Sequence, residues 1–306
     1  MSTATRTDSR VPARNATLDR LLDAELDWSP LARGGFISHL AMGMIAAARL
    51  GATDDDLIGM FDAGTAGDFL IARDRPAELP GLTEEVARRG ADVVVTERLP
   101  ALIGHPGAQF FHAVIRLDLA LDADHPGQVA NALLNWEADA DAPADGPDGR
   151  GDASFAAVME RVADGDLGAL HDLRADDDLL DQIAAWVAAV HSDPHDFGTL
   201  HYVTGTRAAR AVAPLLDPAD RRELGLRTAQ ALVLLHRRFG GRRPATPDEL
   251  DDRRSVRLPD WDELAGRAIA GGDPHDIKLT YACRLEEGVT GDPLLHWVAA
   301  RQNGAV

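Results

Sequence analysis

The 306-residue sequence is poor in several residue types, and each scarcity narrows what it can do. Cys283 is its only cysteine, so no disulfide can close within the chain and a cytoplasmic setting is expected. Aromatic residues make up 5% against 45% hydrophobic, so the core must be built mainly from Ala, Leu and Val. Ala and Leu lose little side-chain entropy in a helix, whereas strands draw on aromatic and β-branched residues. An all-α fold is expected. No segment approaches the ~20 consecutive apolar residues of a membrane-crossing helix. The polar start MSTATRTDSRVPARNAT does not resemble a secretory signal, so a soluble protein without a membrane partner is expected.

Positive charge is also scarce. Lys and Arg together number 31 against 50 acidic residues, giving a formal charge of −19. Nucleic acid is therefore not expected as a partner, since its phosphates would be repelled. The clusters Arg237, Arg238, Arg242, Arg243 and Arg253, Arg254, Arg257 lack interleaved aromatics and read as solvated surface.

Lysine is the rarest cation: Lys278 is the only one. Wherever any cation suffices this chain uses Arg, so Lys278 marks a place where a guanidinium does not serve. An amine can lose its proton and become a nucleophile or ligand, while Arg stays protonated. The plainer alternatives are chance retention of a single lysine and an ion pair with Asp276 or Glu286.

Residues 1–15 have the composition of a disordered tail, and 16–306 read as one helical domain of about ten helices. Helices are expected over 17–25, 36–50, 54–63, 83–89 and 108–121, and then through Trp136. Only 91–96 (ADVVVT) has the makings of a strand. Segment 138–152 (ADADAPADGPDGRGD) has almost nothing to bury and reads as a mobile acidic loop at a subdomain boundary. Helical patterning returns from Phe155 and runs through 179–190. Asp193-Pro194, Asp217-Pro218 and Asp273-Pro274 each pair an N-cap with a proline at the first helical position, and Asp292-Pro293 offers a fourth start. Residues 240–259 read as a polar connection between helices.

Four histidines lie in apolar contexts on separate expected helices: His39, His112, His201 and His275. Gly198 and Gly205 flank His201 at helical spacing and would admit a neighbouring backbone or ligand. Lys278 follows His275 by three residues and so shares its face. Any one of these is more simply a satisfied core histidine. Together they fit the way helical bundles build metal sites, one or two inward side chains per helix. His105 is a reserve ligand. His195 falls in the first turn of the helix carrying His201. His125 and His171 read as exposed, and His191, His236 and His296 as helix-end residues complementing the dipole.

The segments FISHLAMGMIAAARLGA, FFHAVIRLDLAL, TLHYVTG and HDIKLTYAC carry a resemblance to the questin oxidase-like family, whose founding members modify anthraquinones in polyketide pathways. The resemblance spans roughly 36–291. It implies an α-helical oxygenase acting on a polycyclic aromatic substrate with O2, using non-haem Fe(II). It also implies His39, His112, His201 and His275 as ligands and Lys278 as a carboxylated lysine. Family members are also described as NADPH-linked, but no GxGxxG follows a strand here. Arg116 and Tyr202, each near a proposed ligand, are read as orienting an acidic phenol, with pairing to Asp118 or a neighbouring helix as the alternative for Arg116.

Two other readings stand beside this one. His171-Asp172, His195-Asp196 and His275-Asp276 match the paired ligands of HD-type metal phosphohydrolases, although an acidic chain yields such pairs by chance. The third is a non-catalytic helical binding protein whose pocket uses histidines for hydrogen bonds.

Overall fold

The computed structural model describes residues 15–140, 173, 178–192, 197–238 and 243–306. Fourteen α-helices lie among the described residues, with no strand beyond two isolated bridges, Trp28 to Ala72 and Leu31 to Ile37. The fold is mostly helical, as the Ala- and Leu-rich composition requires, but the helices outnumber the ten expected.

The helices are α1 (Ala16–Glu25), α2 (Leu40–Leu50), α3 (Asp54–Thr65), α4 (Leu79–Arg89), α5 (Ala91–Arg98), α6 (His112–Asp122) and α7 (Pro126–Ala140). They continue as α8 (Leu179–His191), α9 (Phe197–Val212), α10 (Pro218–Arg238), α11 (Pro247–Arg254), α12 (Trp261–Gly271), α13 (Pro274–Thr290) and α14 (Leu294–Gln302). The disordered-tail reading for 1–14, most of the acidic loop, the pattern from Phe155, His171, His195 and the start at Asp193-Pro194 lie outside the described residues.

Several expectations change. The segment expected as a strand is α5, with Val94 and Val95 buried and Val93 exposed. Adjacent buried positions suit a helical face, whereas a strand would turn alternate residues inward. The connection at 240–259 contains α11, started by a capping box in which Thr246 accepts from the Glu249 N–H and Glu249 accepts from the Thr246 N–H. Helix α7 runs through Ala140, past the expected loop start at 138. The starts at Asp217 and Asp273 cap as expected: Asp217 accepts from the N–H groups of Ala219 and Asp220, and Asp273 from that of His275. Helix α14 opens one residue late, with Pro293 outside it and Asp292 accepting from the Leu294 N–H.

Histidine placements differ too. His125 is buried, not exposed, and its Nδ1 accepts from the Gln128 N–H. His296 lies in the first turn of α14, so its charge would oppose the dipole there. Its role is packing: the ring stacks on Trp261 at 4.4 Å and Nε2 donates to the Pro259 carbonyl. The arginine clusters are not wholly solvated, since Arg254 pairs with Asp292 and Arg253 donates to the Ser192 hydroxyl.

Helices α2, α6, α9 and α13 form the centre, each packing against the next: α2 on α6, α6 on α9, α9 on α13 and α13 on α2. Two glycines set how closely they approach. A Cβ on Gly43 in α2 would lie 3.0 Å from Pro274 Cβ at the start of α13. A Cβ on Gly205 in α9 would lie 2.4 Å from Phe111 Cγ, just before α6. Each glycine follows a histidine of interest by four residues, His39 and His201 respectively, so the space it leaves is one turn from that ring.

Candidate metal centre

All four histidines sit near the starts of the central helices. His39 is the N-cap of α2, His112 the first residue of α6, His201 the fifth of α9 and His275 the second of α13. The sequence placed His39 and His112 inside longer helices. Instead α2 begins at Leu40, and α6 begins only after Gln109, Phe110 and Phe111, whose φ angles are 51°, 60° and 65°. Left-handed backbone at a non-glycine residue costs about 1–2 kcal/mol, so three in succession need strong tertiary support. Their effect is to bring the Gln109 carbonyl back onto the His112 ring and to send Phe111 into the space at Gly205.

The rings converge. Nε2 of His112 lies 2.7 Å from Nε2 of His39 and 3.2 Å from Nε2 of His201. His39, His201 and His275 each offer a ring nitrogen within 4.8 Å of the others'. Ring centroids of His39 and His275 are 4.2 Å apart.

The opposite nitrogen of every ring is already engaged. Nδ1 of His39 donates to the Ile37 carbonyl at 2.8 Å, and Nδ1 of His201 to the Phe197 carbonyl at 2.8 Å. Nδ1 of His112 donates to the Gln109 carbonyl, and Nδ1 of His275 to the Asp273 carboxylate at 3.0 Å. Carbonyls and carboxylates only accept, so each Nδ1 carries the proton and each neutral ring presents a bare lone pair at Nε2. Anchoring of Nδ1 in this way is the usual arrangement of metal-binding histidines. Two lone pairs facing each other at 2.7 Å repel unless a cation lies between them.

That cation is not readily a proton. Burial first, and the neighbouring Lys278 second, push the pKa of His39, His112, His201 and His275 down, with His201 at about 3. The donor set therefore fits a transition metal taking imidazole nitrogen.

Lys278 is 2% exposed, and its Nζ has no hydrogen-bond partner among the described residues. The ion-pair alternatives are otherwise occupied: Glu286 pairs with Arg207 and Arg210, and Asp276 accepts from Gln302 Nε2 at 2.6 Å. Burial, followed by the charge of Arg116, lowers the Lys278 pKa to about 7. The amine is thus available in its neutral form near neutral pH.

The remaining expectations divide. His105 is exposed and is tied into the fold through its backbone: its N–H donates to the Leu102 carbonyl and its carbonyl accepts from Trp136 Nε1. His112, not His105, joins the cluster. Tyr202, the residue after His201 in α9, is buried with its ring 6.3 Å from that of His236. Arg116 is buried beside the cluster and donates to the Ser38 carbonyl at 3.1 Å, next to His39. Its charge faces Glu25 of α1, the neighbouring-helix partner that the sequence alternative allowed. The carboxylate of Asp276 that an HD-type site would use is turned to Gln302, and the other two His-Asp pairs lie outside the described residues.

Sequence reasoning missed two supporting residues. Glu25 is buried at the end of α1, accepts from Gln128 Nε2 at 3.0 Å and from the Ala41 N–H, and faces Arg116 and Arg73. It thereby caps α2, whose own N-cap, His39, makes no side-chain cap. Nothing in DAELDW distinguishes Glu25 from surface acids. Phe197 lies with its ring 4.9 Å from the rings of both His201 and His275. Its spacing of four residues before His201 was a usable signal.

The chain matches no protein-family model and no curated protein, so the resemblance to questin oxidase-like proteins stands on its four motifs.

Proposed function

We propose that the chain is a non-haem Fe(II)-dependent oxygenase acting on a polycyclic aromatic phenol, such as a hydroxyanthraquinone, with O2. The observation that carries the reading is the convergence of four Nδ1-anchored imidazoles beside a buried amine that has no hydrogen-bond partner among the described residues. His39, His112, His201 and His275 would hold the metal through Nε2. Iron there would supply the redox chemistry with oxygen, and imidazole nitrogen is a ligand that iron accepts.

The electrostatics favour an anionic companion. Four helix N-termini meet at the cluster, each bringing a partial positive charge, and Arg116 adds its own. A metal dication in that field is stabilised by a negatively charged oxygen. Two are proposed: the phenolate of the substrate, and a carbamate on Lys278. Carbamate formation joins the neutral amine nitrogen to the carbon of CO2 and releases one proton, converting a cation into an oxygen donor. Arg cannot undergo it. Arg116, holding the Ser38 carbonyl, fixes the chain entering His39, so its part is to position a ligand.

Electrons are proposed to come from the electron-rich ring: in ring cleavage both atoms of O2 enter the product, and in oxygen insertion one atom enters while the other leaves as water with two hydrogens given up by the substrate. A Rossmann site for NADPH needs a parallel sheet, and none exists among the described residues.

The test is to purify the protein anaerobically, load it with Fe(II), and follow O2 uptake on adding 1,8-dihydroxyanthraquinone. About one iron per chain and phenol-dependent uptake are expected. Absence of stoichiometric metal under every loading condition removes the metal reading. Full iron binding and uptake in Lys278→Arg removes the carbamate.

A further inference from the structure

The cluster is not closed equally on all sides. His112 and His201 are buried with Lys278, whereas His39 and His275 are only partly buried. The His39–His275 side is therefore the one nearest to solvent, although Nε2 of His275 is itself buried.

Phe197 stands at that side. Its ring contacts His275 at 4.9 Å with an interplanar angle of 63°, and His201 at 4.9 Å and 62°. It is nevertheless 59% exposed, so much of the ring is turned away from the histidines. Its backbone is fixed from below, because its carbonyl accepts from His201 Nδ1. A large apolar ring with a fixed backbone, exposed beside ligand imidazoles, is a surface that a flat apolar molecule covers when it reaches the metal.

We infer that Phe197 is the specificity-determining wall of the site: a planar aromatic substrate stacks on its exposed face and is thereby aimed at the histidine cluster. This rests on the proposed function and adds the residue that selects a flat ring. An aliphatic or strongly polar ligand would gain little from the same surface. The role is one of positioning, separate from holding the metal.

The experiment uses the full chain loaded with Co(II), whose visible absorption reports the ligand set, and titrates it with 1,8-dihydroxyanthraquinone. Phe197→Ala is expected to bind cobalt with an unchanged spectrum and stoichiometry while binding the anthraquinone about tenfold more weakly, the scale of a lost stacking contact. Phe197→Trp is expected to retain anthraquinone binding. With iron and O2, the alanine variant should raise KM more than it lowers kcat. Wild-type anthraquinone affinity in Phe197→Ala overturns the inference and leaves the proposed function standing. Loss of cobalt together with anthraquinone in Phe197→Ala also overturns it, because the ring would then be packing for the ligands. A wild-type protein that binds cobalt but no anthraquinone overturns both this inference and the proposed substrate class.

Discussion

Phe111 packs its side chain onto Gly205, where an added Cβ would sit 2.4 Å from Phe111 Cγ and 2.5 Å from Phe111 Cβ. The contact lets α6 and α9 approach until the His112 and His201 ring centroids are 4.7 Å apart. The sequence marked Gly205 as a point of close approach, and the structure shows that the occupant is a phenylalanine side chain from a strained turn.

Gly205→Ala is therefore expected to destabilise the fold by about 1–3 kcal/mol through overpacking and to weaken metal binding as His112 is displaced. Gly266→Ala, within α12 and with nothing near its Cβ, should be neutral or stabilising because alanine is the better helix former. Urea midpoints and metal titrations of the two variants check this. Equal stability in both would show that Phe111 moves aside freely.

The histidines should separate cleanly in a metal-binding assay. Alanine at His39, His112, His201 or His275 is expected to lower metal affinity at least about tenfold, the range typical even of indirect metal-site contacts. His105→Ala should bind as wild type, since that side chain is exposed and outside the cluster. A wild-type titration from His112→Ala would return His105 to consideration.

Lys278 should act against the stability of the metal-free fold. Its amine is buried without a hydrogen-bond partner among the described residues. Removing such a group relieves a desolvation cost of about 1–3 kcal/mol, so Lys278→Met is expected to raise the urea midpoint of metal-free protein. Metal binding should fall in the same variant. A lowered midpoint would show that the amine has a stabilising partner in solution.

Glu25 makes the opposite case. It accepts from Gln128 and the Ala41 N–H and faces two arginines, Arg116 and Arg73. Glu25→Ala leaves the buried Arg116 short of its counter-charge, a kind of loss that costs about 3–5 kcal/mol. Glu25→Gln keeps the hydrogen-bonding shape and should cost less. Denaturation curves showing both variants within experimental error of wild type would remove Glu25 as the support for α2 and His39.

Much of this protein was decided by sequence alone. Ala- and Leu-rich periodicity determined helices, because burial of one stripe repeats every three to four residues whatever the neighbours are. Asp217-Pro218 and Asp273-Pro274 determined where two helices start, because a cap bonds to amides only two or three residues ahead. The one lysine in an arginine-using chain was visible by counting.

Other features belong to tertiary structure. ADVVVT reads locally as a strand, and became α5 because no neighbouring strand exists among the described residues to pair with it. The left-handed run at Gln109, Phe110 and Phe111 has no glycine to announce it, since its strain is offset by packing against a helix some 90 residues away. The meeting of His39, His112, His201, His275 and Lys278 depends on four helices approaching at Gly43 and Gly205. Side-chain identity proposed the ligands; only long-range packing could bring their Nε2 atoms within a few ångströms.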